Sequence, residues 1–102
     1  MSEVVGIRGR GLIGGSFEKA FVRAGHEVLD LKTASAAEIG RCSLVVVCLP
    51  PLLVAPWIRE HAGDFAPGTI VTDAAFSRDA ILQSGPKGFF SAAKKVVFLK
   101  ER

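Results

Sequence analysis

The chain has 102 residues, is 49% hydrophobic and 23% charged, and carries a formal net charge of +3 with a pI near 9.2. That length gives an expectation of one domain over residues 1–102, and the balance of apolar and charged residues excludes a disordered chain. Two cysteines, Cys42 and Cys48, exclude a disulfide framework, and His26 and His61 stand too far apart in sequence to suggest a metal site. With neither a long apolar run nor a signal-peptide pattern, the expectation is a soluble, cytoplasmic protein without a membrane segment. The mild positive charge suits an anionic small ligand. No basic helix, zinc spacing or aromatic–basic interleaving points to specific nucleic-acid binding.

In chain order, Glu3 to Arg8 reads as a first strand, continuous in apolar character as a buried parallel strand should be. A glycine-dense turn follows, and Ser16 to about Ala24 reads as the first helix, with Phe17, Phe21 and Val22 on one face and Gly25 as its stop. Glu27 to Lys32 is a second strand. Thr33 to Gly40, rich in small residues, has room for a short helix at most. Ser43 to Leu49 is the plainest strand of the chain and ends at Pro50-Pro51. Leu53 to Gly63 is helix-like, on the condition that Pro56 lies in its first turn. Pro67-Gly68 is a turn, Thr69 to Asp73 a fourth strand, Asp79 to Leu82 a short helix, and Lys95 to Lys100 a fifth strand.

Strands alternating with helical stretches specify an α/β fold: a three-layer, doubly wound, mostly parallel sheet of about five strands, of Rossmann type. Right-handed crossovers would place its ligand crevice beyond the carboxyl ends of the first and fourth strands. The functional signal is concentrated in the loop Gly9-Arg10-Gly11-Leu12-Ile13-Gly14, a G-x-G-x-x-G run set between a strand and a helix. In such a run the first glycine permits a tight turn and the second lets backbone approach a pyrophosphate. The third lets helix and strand pack closely, and the helix N-terminus favours the phosphates. Arg10, inside the loop, could reach a phosphate as a fork-shaped donor. Trp57 and Phe89-Phe90 read as core or interface, and Asp73 as a cap or turn former. His61 reads as a surface residue favoured by a helix C-terminus.

Four segments in this order carry a resemblance: Gly9 to Phe17 (GRGLIGGSF), Ala24 to Val28 (AGHEV), Val45 to Pro51 (VVVCLPP) and Pro67 to Asp73 (PGTIVTD). Over residues 4 to 82 the chain resembles the N-terminal cofactor domain of prephenate and arogenate dehydrogenases. The resemblance implies binding of NAD or NADP for oxidative decarboxylation of a cyclohexadienyl substrate on the way to tyrosine. It also implies that Leu49, Pro50 and Pro51 line the crevice beside the nicotinamide ribose. The family's position for ribose recognition, at the end of the second strand, falls on Lys32, with Asp30 two residues earlier on the same strand face. A carboxylate there would accept from the 2′-hydroxyl of NAD, whereas Lys32 with Thr33 suits the extra phosphate of NADP, so the expectation leans to NADP. An S-adenosylmethionine site would want an acid at that place, which Lys32 disfavours.

The departures are equally specific. The family's serine after the Thr-Asp pair falls at Phe76, with Ser77 one place along, and its lysine falls at Arg78. The stretch between the second and third strands is shorter than usual. The family's His-Pro segment and helical C-terminal domain have no counterpart in these residues. The resemblance therefore covers a cofactor half without a substrate half and leaves the catalytic residues unknown. Two readings stand: an NAD(P)-dependent dehydrogenase completed by a partner chain or a homo-oligomer, or a binding module without turnover, such as a cofactor sensor or a degenerate remnant.

Overall fold

The computed structural model describes residues 2–73 and the backbone of Val96–Leu99. The expected helix at Asp79 to Leu82, the loop at Ser84 to Gly88, Phe76 to Arg78 and Phe89-Phe90 lie outside the described residues. The elements run β1 (Val4–Arg8), α1 (Leu12–Arg23), β2 (Glu27–Asp30), α2 (Ala36–Gly40), β3 (Leu44–Val47), α3 (Pro51–His61), a 3-10 turn (Ala62–Asp64), β4 (Ile70–Asp73) and β5 (Val96–Leu99). No helix among the described residues is long and apolar enough to cross a membrane.

The sheet has the order β2-β1-β3-β4-β5, with the first four strands parallel and β5 antiparallel to β4. Period-two alternation sorts the strand side chains between two cores. Val5 and Ile7 of β1 and Val46 of β3 meet Phe17 of α1 on one face, with Ile13, Phe21, Val28 and Cys48 packed around them. Val45 and Val47 of β3, with Leu31 and Val71, face Ile39, Val54, Trp57, Ile58 and Phe65 on the other. Three layers result. Trp57, only 8% exposed, is core as expected, with its ring against Phe65 and His61.

This order moves the crevice. β1 lies between β2 and β3, so the point where the winding reverses is the β1/β3 boundary and not a boundary with β4. The connection that makes this crossover is the short one noted in the sequence. Between β2 and β3 there is only the five-residue α2, and across it the chain passes β1 and pairs on its other side. Ser35 and Glu38 fix that helix by a reciprocal capping box: Ser35 Oγ accepts from the Glu38 N–H, and Glu38 Oε1 from the Ser35 N–H. These bonds hold the Glu38 carboxyl below its usual pKa.

Among the boundaries that differ from the sequence reading, three bear on the site or on the helix that follows β3. α1 begins at Leu12, not Ser16, so Gly14 and Gly15 lie inside the helix. β2 stops at Asp30, and Lys32 follows in a turn where Asp30 Oδ1 accepts its N–H at 3.0 Å. α3 starts at Pro51 as its N1 residue, which places Pro56 at the sixth position, beyond the first turn. The helix tolerates it there because Pro56 is exposed and water can take up the backbone bond that proline cannot make. His61 is half-buried and not a plain surface residue: Nδ1 lies 3.4 Å from Asp64 Oδ2 and the ring sits over Trp57.

Burial pushes the thiols of Cys42 and Cys48 from the ordinary 9.0 up to about 11. Unfolded thiols ionise before folded ones as pH rises, so their contribution to stability is complete below about pH 9 and declines toward pH 11. The chain has no tyrosine, but its lysines begin to titrate in the upper part of that window, so a variant without the thiols is the control that isolates their part. The urea midpoint should therefore fall between pH 8 and pH 10.5, and a Cys42→Ala/Cys48→Ala variant should show a flatter dependence.

Candidate functional site

The glycine loop lies at the carboxyl end of β1, over the β1/β3 boundary, and its three glycines are required for three different reasons. Gly9 has φ +100, a conformation that side chains rarely adopt, and a Cβ there would come within 2.5 Å of the Cys48 carbonyl oxygen. The loop thus turns sharply against the end of β3, where the Cys48 N–H donates to the Arg8 carbonyl at 2.7 Å. Gly14, in the first turns of α1, packs directly on the Gly9 carbonyl. A Cβ built there would land inside that oxygen's van der Waals envelope. Gly11 has no packing reason at all. It is exposed, extended, and open on the side where a Cβ would project.

Gly11 is also the N-cap of the twelve-residue α1 and supplies no capping side chain. The first intrahelical bond runs from the Gly15 N–H to the Gly11 carbonyl at 2.8 Å. The earlier amides of the first turn therefore have no such partner and, with the helix dipole, make a place for negative charge. A Cβ at Gly11 would meet nothing within 4 Å, so the approach to the loop and the helix end is open.

The other expected site residues fall in three groups. Leu12 is 90% exposed beside Gly11, whereas Ile13 turns inward onto the α1 core. Lys32 and Thr33 are exposed in the turn after β2, but the residue that ends β2 is Asp30, paired in register with Ile7. Leu49, Pro50 and Pro51 follow β3. Leu49 is half-buried and lines a hollow of about 210 Å³ with Arg8, Leu53, Pro56, Trp57 and Glu60, while both prolines are exposed at the start of α3. The glycine loop, the end of β2 and the start of α3 thus share one edge of the sheet. Asp73 ends β4, one strand farther from the boundary than expected, and its Oδ1 is buried with no hydrogen-bond partner among the described residues.

Arg10 does not extend freely from the loop. Its Nη2 donates to Glu18 Oε1 at 2.6 Å, and its Nη1 lies 3.6 Å from Asp30 Oδ2. The bond to Glu18 first, and the Asp30 charge after it, raise the guanidinium pKa, so Arg10 stays charged at any working pH. Glu18 escaped the sequence reading because only the loop's path, and no helical spacing, brings residues 10 and 18 together.

Both histidines lie at the opposite edge of the sheet. His26 precedes β2 and its Nδ1 accepts from the Glu3 N–H at 3.0 Å, while His61 ends α3.

No family model matches the chain, and no curated protein does. Among solved structures the chain is similar to that of a semialdehyde dehydrogenase NAD-binding protein from Cupriavidus necator in complex with calcium and NAD, with a TM-score of 0.62 at 20% identity. The match covers 74% of this chain and 35% of that one, so the chain spans about a third of its length. The likeness establishes a Rossmann-like fold.

Alanine at the two adjacent helical glycines should have opposite effects. Helix propensity favours alanine at either by about 1 kcal/mol. At Gly15 nothing opposes it, since a Cβ meets no atom within 4 Å. At Gly14 the backbone clash should reverse the sign and cost about 3 kcal/mol. Urea denaturation of Gly14→Ala and Gly15→Ala checks both.

Proposed function

We propose that this chain binds a nicotinamide dinucleotide, pyrophosphate on the glycine loop and α1 N-terminus, adenosine ribose toward Asp30, Lys32 and Thr33, and nicotinamide ribose toward Leu49, Pro50 and Pro51. The observation that carries the reading is Gly11. Gly9 and Gly14 have packing reasons to be glycine, whereas Gly11 is left open at an uncapped helix start where a ligand's backbone contact would need it. The NAD complex of the structurally similar C. necator protein supports the choice of ligand class.

The positions of the histidines bear on turnover. Hydride transfer from a hydroxyl-bearing substrate needs a group to take the proton, and neither histidine stands at the glycine edge. The dinucleotide supplies the hydride chemistry when bound. The described residues would orient it, with neither histidine placed to take the proton. The resemblance to prephenate and arogenate dehydrogenases favours an oxidoreductase cofactor half completed by a partner chain or a homo-oligomer, with a cyclohexadienyl acid as the first substrate to try. Histidines held at the far edge favour the second reading, a cofactor-binding module without its own turnover.

Calorimetric titration with NAD and with NADP tests the core of this proposal. Micromolar binding of either is expected, and Gly11→Ala should weaken it at least about tenfold, or about 1.4 kcal/mol, with an unchanged circular dichroism spectrum. If neither dinucleotide binds, the glycine loop is a packing turn and nothing more.

A further inference from the structure

The ribose end of the site contains a contradiction that Arg10 resolves. Asp30, the last residue of β2, stands where an acid selects the unphosphorylated ribose by accepting from its 2′-hydroxyl. Its charge alone would repel a 2′-phosphate. Yet one Asp30 oxygen is already engaged by the Lys32 N–H at 3.0 Å, and the other faces the Arg10 guanidinium at 3.6 Å. The acid is thus held by a backbone amide on one oxygen and faced by an arginine on the other before any ligand arrives.

We propose that Arg10 determines the choice between NADP and NAD, an inference that rests on the dinucleotide reading above. Glu18 anchors the guanidinium through Nη2 and so aims Nη1 at the end of β2 rather than along the loop. The Nη1 contact with Asp30 lies just beyond hydrogen-bond distance, which leaves its donors able to turn to a better acceptor. A 2′-phosphate is such an acceptor, with three oxygens and nearly two negative charges. Arg10 would then bind the phosphate through Nη1 while remaining on Glu18 through Nη2, the two-sided use to which a rigid fork is suited. The Lys32 side chain, exposed beyond Asp30, adds a second cation. For NAD the same arrangement is a handicap, because the 2′-hydroxyl must compete with Arg10 for the Asp30 carboxylate. Arg10 is a specificity residue in this scheme, and Glu18 is a positioning residue that acts through it.

The other phosphate that Arg10 could reach from within the loop is the pyrophosphate, which is common to both dinucleotides. The two placements give different results. Titration of the wild-type chain and of Arg10→Ala, Arg10→Lys and Glu18→Gln with NAD and NADP gives a ratio of affinities for each. Arg10→Ala should lower the NADP preference about tenfold or more, the factor that about 1.4 kcal/mol makes, chiefly through weaker NADP binding. Arg10→Lys should lower it less, since it keeps the charge and loses the fork, and Glu18→Gln should lower it partially with Arg10 intact. Asp30→Asn should move the ratio the other way. Equal weakening of both dinucleotides by Arg10→Ala would return Arg10 to the pyrophosphate and overturn the proposal. An unchanged ratio with unchanged affinities would reduce the Arg10–Glu18 pair to a surface ion pair and overturn it equally. Failure of the wild-type chain to bind either dinucleotide would overturn the dinucleotide reading itself, an outcome distinct from both.

Discussion

The contact of Gly14 with the Gly9 carbonyl oxygen is the constraint on which the arrangement of the site depends. A helix cannot normally approach the loop that precedes it so closely, because a side chain at the point of contact holds it off. Without one, α1 starts right after Gly11 and lies down on β1 through Phe17. Close approach on this face fixes the direction of α1, and the direction fixes where its N-terminal amides point. The same contact locks the Gly9 carbonyl in place, while the opposite side of the turn rests on Cys48 at the end of β3. The loop is held from two sides by backbone. Its shape is therefore set on folding and does not have to be formed when a ligand binds.

The second determinant is the shortness of the passage from β2 to β3. A longer connection could insert another strand and helix outside β2, and β1 would then meet a later strand. Here the chain has five helical residues to work with, and a capping box makes that one turn of helix definite. Ile39 plugs it into the core that holds Trp57 and Phe65. As a consequence β3 becomes the neighbour of β1, and Leu49, Pro50 and Pro51, which follow β3, come to the reversal point. The short connection thus relocates the site without changing its components.

Much of this was legible in the sequence. The β-branched runs at Val4 to Ile7 and Val45 to Val47, the glycine spacing and the alternation of strands with helices specify a doubly wound fold with a loop at its strand ends. The pattern Ser35-x-x-Glu38 was there to be read as a capping box. What could not be read depends on contacts made only in three dimensions. Pro56 looked like a limit on where α3 could begin, but a proline on the exposed side of a helix is a local cost that the burial of Val54, Trp57 and Ile58 outweighs. Lys32 looked like the end of β2 because the apolar alternation continues through Leu31, whose N–H still bonds to the Ile7 carbonyl at 2.9 Å. The turn bonds of Asp30 end the strand earlier. Arg10 looked free because nothing in its neighbourhood along the chain is acidic.

The antiparallel direction of β5 has a topological consequence. Four parallel strands deliver their carboxyl ends to a single edge, the one that carries the glycine loop. β5 runs the other way, and Val96, its first residue, pairs with Thr72 near the end of β4. The amino end of β5 therefore lies beside the carboxyl end of β4, at the edge of the sheet that carries the glycine loop. That edge thus gathers five strand ends, the carboxyl ends of the four parallel strands and the amino end of β5, so its chemistry can vary while the strand order and both cores stay as they are.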